Sequence, residues 1–503
     1  MEFRVVRGAL GDMASDSLVL CMYRGIRTLS PEIKELDRQL GGVIGEMIIT
    51  ETFEGKAMEV QVIHTLGRIT PKNLILAGLG EEEKVDEEIL RNVLGSAVKT
   101  ARKLGNKKVA FCLEEDLEKK LCPVALGQSL AEGVLMALYR FDKYKSTEKK
   151  QEEIEEVFLL KKYAVEDGLI QKGIQRGTAL GKAVNLTRDL VNEPGNRMTP
   201  TVMAGVAKKV AVNHGMRIEI LEKEDMEKLG MHALIGVAKG SAEPPKLIVM
   251  EYNGGTPQGE KIALVGKGIT FDAGGISIKP AQGMEEMKDD MAGGAAVIGA
   301  MDAIGALKPQ INIIAIIPAC ENLPSGTAQK PGDVVKSMSG KTIEIINTDA
   351  EGRLILVDAI TYAIQKGADK VIDIATLTGA CVVALGHVTT GALANNEALW
   401  LQVKEAAARA GDKIWQMPAF EEYKELIKSD IADIKNTGGR WAGMITAGLF
   451  IGAFVEKKPW VHIDIAGTVS TQKERGYRVK GPTGVGVRTL AHLAEVLAVE
   501  NIK

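Results

Sequence analysis

Two polar clusters in the second half of the chain gather more cation-binding groups than a surface loop needs. The first is VGKGITFDAGGISIKP, Val265 to Pro280, followed by MKDDM, Met287 to Met291; the second is INTDAEGRLILVDA, Ile346 to Ala359. In the first, the apolar run Ile262 to Val265 leads into Gly266, Lys267 and Gly268, then into Asp272, Gly274 and Gly275. Glycines there let the backbone turn sharply and approach a bound ion closely. Taken alone, this segment fits equally a glycine-rich turn with surface lysine and aspartate, or a loop that cradles phosphate. In the second cluster Asp349, Glu351 and Arg353 recur at spacing two, which in an extended segment aims all three the same way. A plainer account makes Asp349 or Glu351 a helix cap and Arg353 its salt-bridge partner. Capping, however, does not require both acids and the arginine together.

The histidines discriminate further. There are 6, and none forms HExxH, so a zincin site is excluded on ligand grounds. A metal centre here must be dominated by carboxylates, which suits a pair of divalent ions about 3.5 to 4 Å apart. Asp272, Asp290, Asp349 and Glu351 would formally balance two such ions, and Lys267 could join them only as a neutral amine. No GxSxG nucleophile elbow occurs. Ser339-Gly340-Lys341-Thr342 resembles the end of a P-loop, but Val335 stands where the first glycine belongs, so the segment reads as a turn before a strand. His387 and His462 lie outside the acidic clusters and read as structural.

The elements that must position these groups follow from hydrophobic period. Phe3–Val6, Ser17–Met22, Val60–His64, Asn73–Ala77, Lys108–Leu113 and Val157–Leu160 read as strands, with helices at Glu87–Leu104 and Val124–Arg140. Leu180, Val184, Thr187 and Val191 share one face of a long helix that stops at NEPGNRMTP, Asn192 to Pro200. The charged stretch Lys143 to Glu156 reads as a solvated surface segment. Beyond it, strands at Lys246–Glu251, Lys261–Gly266, Asn312–Pro318, Lys370–Ile374 and Trp460–Ile465 alternate with helical windows at Met291–Ile304, Leu354–Gln365 and Gly443–Phe454. The prediction is an α/β protein of two domains, a small N-terminal one and a larger C-terminal one whose mixed sheet is flanked by helices. Its ligand site should lie at the carboxyl ends of the strands.

Composition sets the outer bounds. The chain has 503 residues, 45% apolar and 26% charged, with 55 glycines and few aromatics, the balance of a globular α/β protein. A net charge of -3 supplies no overall field to gather nucleic acid or an anionic membrane. Cys21, Cys112, Cys122, Cys320 and Cys381 form no CxxC pair and read as reduced, buried thiols. The first residues lack the apolar run of a signal peptide, and segments such as Ile311–Cys320 fall short of a membrane span of about 20 residues. Cytoplasmic residence is the expectation.

Asn347-Thr348-Asp349-Ala350-Glu351-Gly352-Arg353-Leu354 resembles the signature of the leucyl aminopeptidases, also called cytosol aminopeptidases, and VGKGITFD and KDDM resemble that family's other metal-binding motifs in order and spacing. The resemblance covers roughly Gly177 to Lys503. It implies a catalytic metallopeptidase domain over 196–503; an N-terminal α/β (macro-like) domain over 1–160 is assigned by position, with a linking helix over 161–195. The resemblance also implies two divalent ions, manganese or zinc, with magnesium or cobalt as further candidates, held by Lys267, Asp272, Asp290, Asp349 and Glu351, with Asp272 and Glu351 bridging. Lys279 matches the family's catalytic lysine, and Arg353 its catalytic arginine, which in relatives holds a bicarbonate ion near the nucleophilic water. Met287, Thr376 and Gly379 match positions lining the side-chain pocket, which favours leucine and other apolar first residues. Ala273 departs from the serine of many relatives, at a position that is no ligand.

What the resemblance implies is an aminopeptidase acting on peptides through a two-metal activated water, typically assembled as a homohexamer. The alternatives are a metal-dependent phosphoryl hydrolase, served by the same glycine turns and charges, and a nucleic-acid-binding regulator on a peptidase scaffold.

Overall fold

The computed structural model describes residues 1–113, 117, 120–147, 152–161 and 167–500. Residues 148–151 of the charged stretch predicted to be a solvated segment lie outside that set. The chain divides into two units, one comprising Met1–Lys182 with Gln472–Lys480, the other Ala183–Thr471 with Gly481–Lys503.

In the first unit, β1 (Glu2–Val6), β2 (Ser17–Tyr23), β3 (Val60–His64), β4 (Asn73–Gly80), β5 (Lys108–Cys112) and β6 (Glu156–Leu160) form one sheet in the order β1-β6-β5-β2-β4-β3. All pairs are parallel except the edge pair β3–β4. Both faces of β2 and β4 are buried, as continuous apolar runs such as SLVLCMY require of central strands. The helices Glu87–Lys103 and Pro123–Ala137 pack on this sheet's unit within two residues of the predicted starts and within three of the predicted ends.

The second unit is built on a 9-stranded mixed sheet containing β7 (Arg217–Leu221), β8 (Lys246–Asn253), β9 (Lys261–Gly266), β10 (Gly268–Asp272), β11 (Asn312–Asn322), β14 (Lys370–Ala375), β15 (Thr390–Ala394), β16 (Ile414–Gln416) and β18 (Trp460–Asp464). A small three-stranded sheet lies apart from it, formed by β12 (Val334–Lys336), β13 (Thr342–Glu344) and β17 (Ile434–Lys435). Within the large sheet β18, β14, β9 and β11 are mutually parallel. The SGKT segment is the turn between β12 and β13, as its missing glycine predicts.

One feature of this sheet was not legible as a strand. β9 and β10 run in succession along β11, pairing with Asn312–Ile316 and then with Ala319–Asn322, so Lys267 occupies the break between them. The glycines around it are close-packed against the helix Ala292–Leu307: a Cβ on Gly266 would lie 2.6 Å from the Gly293 carbonyl, and one on Gly293 would lie 2.2 Å from the Ile374 carbonyl. Small residues at AGGAA thus let that helix press onto the strands and bring Asp290, just before it, beside Lys267. The stretch Met284–Leu307 is long and apolar enough to cross a membrane, but 83% of its most apolar window is buried inside the protein, the environment of a core helix.

No disulfide joins the five cysteines. Cys21, Cys320 and Cys381 are buried as predicted, whereas Cys112 is only partly buried and Cys122 is exposed, standing at the N-cap of the helix Pro123–Ala137, where its sulfur accepts the Ala125 N–H.

Candidate metal centre

The carboxyl ends of β9, β14 and β18 and the loop leading into the helix Gly352–Gln365 surround one cavity of about 440 Å³. Lys267, Asp272, Lys279, Asp290, Asp349, Glu351 and Arg353 all line it, together with Met287, Thr376 and Gly379. Asp272, Asp290 and Glu351 each place one carboxylate oxygen within 4.8 Å of the others, and all three are buried. Asp349 is half-buried and stands outside this trio, joined to it through Lys279, whose Nζ lies 2.8 Å from Asp272 Oδ2 and 2.5 Å from Asp349 Oδ1. Lys267 Nζ lies 2.7 Å from Asp290 Oδ1 and 2.8 Å from Glu351 Oε1.

The loop 346–351 is a turn rather than an extended strand, so the alternation expected of Asp349, Glu351 and Arg353 is not what brings them together. Glu351 has helical dihedrals at the N-cap position, and Arg353 already belongs to the first helical turn. The Glu351 side chain makes no capping bond. Its carboxylate lies instead beside those of Asp272 and Asp290 and Lys267 Nζ, so capping does not account for it. Upstream, Gly274 and Gly275 adopt φ of +87° and +64°, which fold the chain back so that Lys279 N–H reaches the Ala273 carbonyl at 2.9 Å.

Two ammonium groups stand among these acids. Burial alone would lower the pKa of Lys267, but Asp290, Glu351 and Asp272 outweigh it and hold the amine well above the ordinary lysine range. Lys279 is raised in the same way, chiefly by Asp272 and Glu351 against its burial. Burial pushes Asp290 and Glu351 up, reinforced by neighbouring carboxylates. Asp290 Oδ2 and Glu351 Oε2 are buried with no hydrogen-bond partner among the described residues. Orphaned hard oxygens in a cluster of like charge are what a divalent cation neutralises, so the donor set fits the metal implied by the sequence. Lys267 as a ligand would first have to give up the proton that these acids now stabilise.

Arg353 is buried and donates from Nη1 to the Asn436 carbonyl at 2.8 Å, while its Nε has no partner among the described residues. Burial pulls its pKa down to about 10. Thr376 does more than line the cavity: its Oγ1 donates to Asp290 Oδ1 at 2.7 Å and its carbonyl accepts Lys267 Nζ at 3.0 Å.

Several residues outside the motifs hold the site. Asn322 Nδ2 donates to Asp272 Oδ1 at 2.9 Å and to the Thr348 carbonyl at 3.1 Å, joining both clusters. Asp464, at the end of β18, accepts Thr378 Oγ1 at 2.7 Å and the Leu377 and Ala466 N–H groups, which shapes the turn carrying Thr376 and Gly379. A lone asparagine or a strand-end aspartate carries no spacing signal; only the positions of their strand ends point to them. His462 is fully buried against Asp373, which also accepts Trp460 Nε1 at 2.6 Å, in keeping with a structural histidine. His387, by contrast, is exposed on the cavity wall, with Nδ1 2.9 Å from the Gly467 carbonyl.

Residues 19–148 match the cytosol aminopeptidase family, N-terminal domain, and residues 185–491 match the catalytic domain of the same family. A "Probable cytosol aminopeptidase" of Alkaliphilus oremlandii is 52% identical over 98% of this chain and 99% of its own length. One from Solibacter usitatus is 44% identical over 98% and 99%. Among solved structures, a tomato leucine aminopeptidase mutant superimposes with a TM-score of 0.89 at 33% identity, over 98% of this chain and 96% of the other. The bottromycin maturation enzyme BotP in complex with Mn does so with a TM-score of 0.83 at 29% identity, over 96% and 99%. Both halves of the family's architecture are present in order, and the chain belongs to the cytosol aminopeptidase family.

Proposed function

We propose that this chain is a metal-dependent aminopeptidase that releases N-terminal residues from peptides, with leucine and other apolar residues preferred. The observation that carries the reading is the convergence of Asp272, Asp290 and Glu351 oxygens within 4.8 Å, on the wall of a solvent-accessible cavity. Lys267, Asp272, Asp290, Asp349 and Glu351 would hold two divalent ions, manganese or zinc. When bound, the ions would supply Lewis acidity and a water of lowered pKa. A substrate's free α-amino group, as a neutral donor, would be taken up beside these ions, which would direct cleavage to the peptide's N-terminus.

The protein's own groups divide the remaining work. Lys279, charged and reaching into the cavity, would stabilise the oxyanion that develops on the scissile carbonyl. Arg353 offers its Nε, without a partner among the described residues, for a small anion, bicarbonate by analogy with the family. Met287, Thr376 and Gly379 would receive the first side chain, with Val382 adding apolar surface on the same wall. A cytoplasmic homohexamer is the assembly and location we infer, on family grounds alone.

Leucyl anilide hydrolysis with and without a chelator, followed by readdition of manganese, zinc or cobalt, tests the reading. Loss with chelator and recovery with metal are expected. Hydrolysis of a phosphate monoester with none of the anilide would replace the proposal with a phosphoryl hydrolase, and light scattering checks the hexamer.

A further inference from the structure

Asn436 belongs to none of the motifs, yet it is fully buried and touches both halves of the second cluster. β13 and β17 pair in parallel, Ile343 with Ile434 and Glu344 with Lys435, and the Asn436 N–H extends this ladder by donating to the Glu344 carbonyl at 2.9 Å. Beyond Glu344 the chain turns away towards Asp349 and Glu351, and the Asn436 carboxamide takes over as its partner. Oδ1 accepts the Ile346 N–H at 2.8 Å and the Asn347 N–H at 3.3 Å. Nδ2 donates to the Asn347 carbonyl at 2.7 Å and the Ala350 carbonyl at 3.4 Å. Two donors facing one end and two carbonyls facing the other fix the orientation of the amide. The backbone carbonyl of the same residue accepts Arg353 Nη1 at 2.8 Å.

We infer that Asn436 is a positioning residue that sets the relation between the ligands Asp349 and Glu351 and the Arg353 guanidinium. Its side chain grips the loop from one side, while Thr348 is tied on the other to Gly274, Ser277 and Asn322. Its carbonyl takes Nη1 of Arg353, whose Nε is left without a hydrogen-bond partner among the described residues. A carboxylate at this position would set an acceptor against two carbonyl oxygens and place a buried negative charge beside the ligands. No other side chain of similar size both accepts from two N–H groups and donates to two carbonyls.

The inference rests on the aminopeptidase reading for turnover, but metal retention can be read without substrate. Manganese binding to the full-length chain is measured by titration calorimetry, and leucyl anilide hydrolysis at saturating manganese. Asn436→Asp is expected to weaken manganese binding about 10-fold or more and to lower kcat by a similar factor, with KM within about twofold. Asn312→Asp is the comparison, since Asn312 is also buried and bonds the Thr256 and Gly259 carbonyls and the Gly255 N–H at the start of β11. It is expected to lower the melting temperature and leave manganese binding unchanged. If Asn436→Asp does not fold, Asn436→Ser keeps the backbone carbonyl for Arg353, loses the amide's reach and carries the same expectation for the metal. A folded variant at 436 that binds manganese within about twofold of wild type overturns the inference. A wild-type chain that binds manganese but does not hydrolyse the anilide overturns the aminopeptidase reading instead, and one that binds no manganese overturns both.

Discussion

A Cβ on Gly352 would lie 2.6 Å from Lys267 Cε and 2.8 Å from its Nζ. Gly352 opens the helix Gly352–Gln365 between Glu351 and Arg353, and the lysine stem crosses over that first turn. A side chain as mobile as lysine would ordinarily swing aside, but Nζ is held by Asp290, Glu351 and the Thr376 carbonyl. Gly352→Ala should therefore fold and displace the amine, weakening manganese binding on the order of 10-fold, as disturbing a ligand's support does. Calorimetric titration of the variant against wild type checks this; equal affinities would mean that the lysine finds room elsewhere.

The acids themselves make a stronger demand. Asp349→Asn and Glu351→Gln each keep side-chain volume while removing a charge, and each should lower metal-dependent turnover on the order of 100-fold or more. Circular dichroism should remain that of the wild type, since neither carboxylate caps the helix that follows. Full activity in either variant would refute the site assignment.

Much of this site is legible in the sequence because its residues are short-range: Asp349, Glu351 and Arg353 fall in one short stretch of chain, and Lys267 through Lys279 in another. Strands are legible for the same reason, since runs such as KIALVG and VIDIA are buried on both faces and read as apolar throughout. What the pattern misses is long-range or irregular. β10 hides behind glycines that pack against a helix, Asn322 is 50 residues from the Asp272 it holds, and Asn436 is 83 from Arg353. The spacing-two argument groups three residues that do line one cavity, but through the wrong backbone, because polar chains in a turn can converge as well as those in a strand. The return of Gln472–Lys480 to the first unit also has no local signal, being charged and short.

That return can be tested within the first unit. A Cβ on Gly95 would lie 2.7 Å from the Tyr477 backbone, and Tyr477 Oη donates to Glu88 Oε1 at 3.0 Å on the same helix. Backbone cannot give way as a side-chain tip can. Gly95→Ala should therefore destabilise the protein by about 1 to 3 kcal/mol while leaving manganese affinity unchanged. A melting temperature equal to wild type would show that the segment does not seat against this helix.

Asp358 supplies a pH test about two turns along the helix from Glu351. It is fully buried in the helix Gly352–Gln365 and accepts the Leu234 N–H at 2.9 Å and the Met338 N–H at 2.8 Å. Burial pushes its carboxyl up to about 7, against the pull of those bonds. An unfolded aspartate titrates near about 3.9. Between about pH 4 and about pH 7 the native protein therefore holds a proton that the unfolded chain has released, so this group's contribution falls as pH rises through the window and is flat above it. Asp358→Asn cannot titrate and lacks that slope, whatever its own stability. Relative to the variant, the wild type should lose about 2 kcal/mol on going from about pH 5 to about pH 7, read as a narrowing or inversion of their difference in denaturation midpoint. A difference that stays constant across the window would mean that the backbone donors keep Asp358 ionised in the fold.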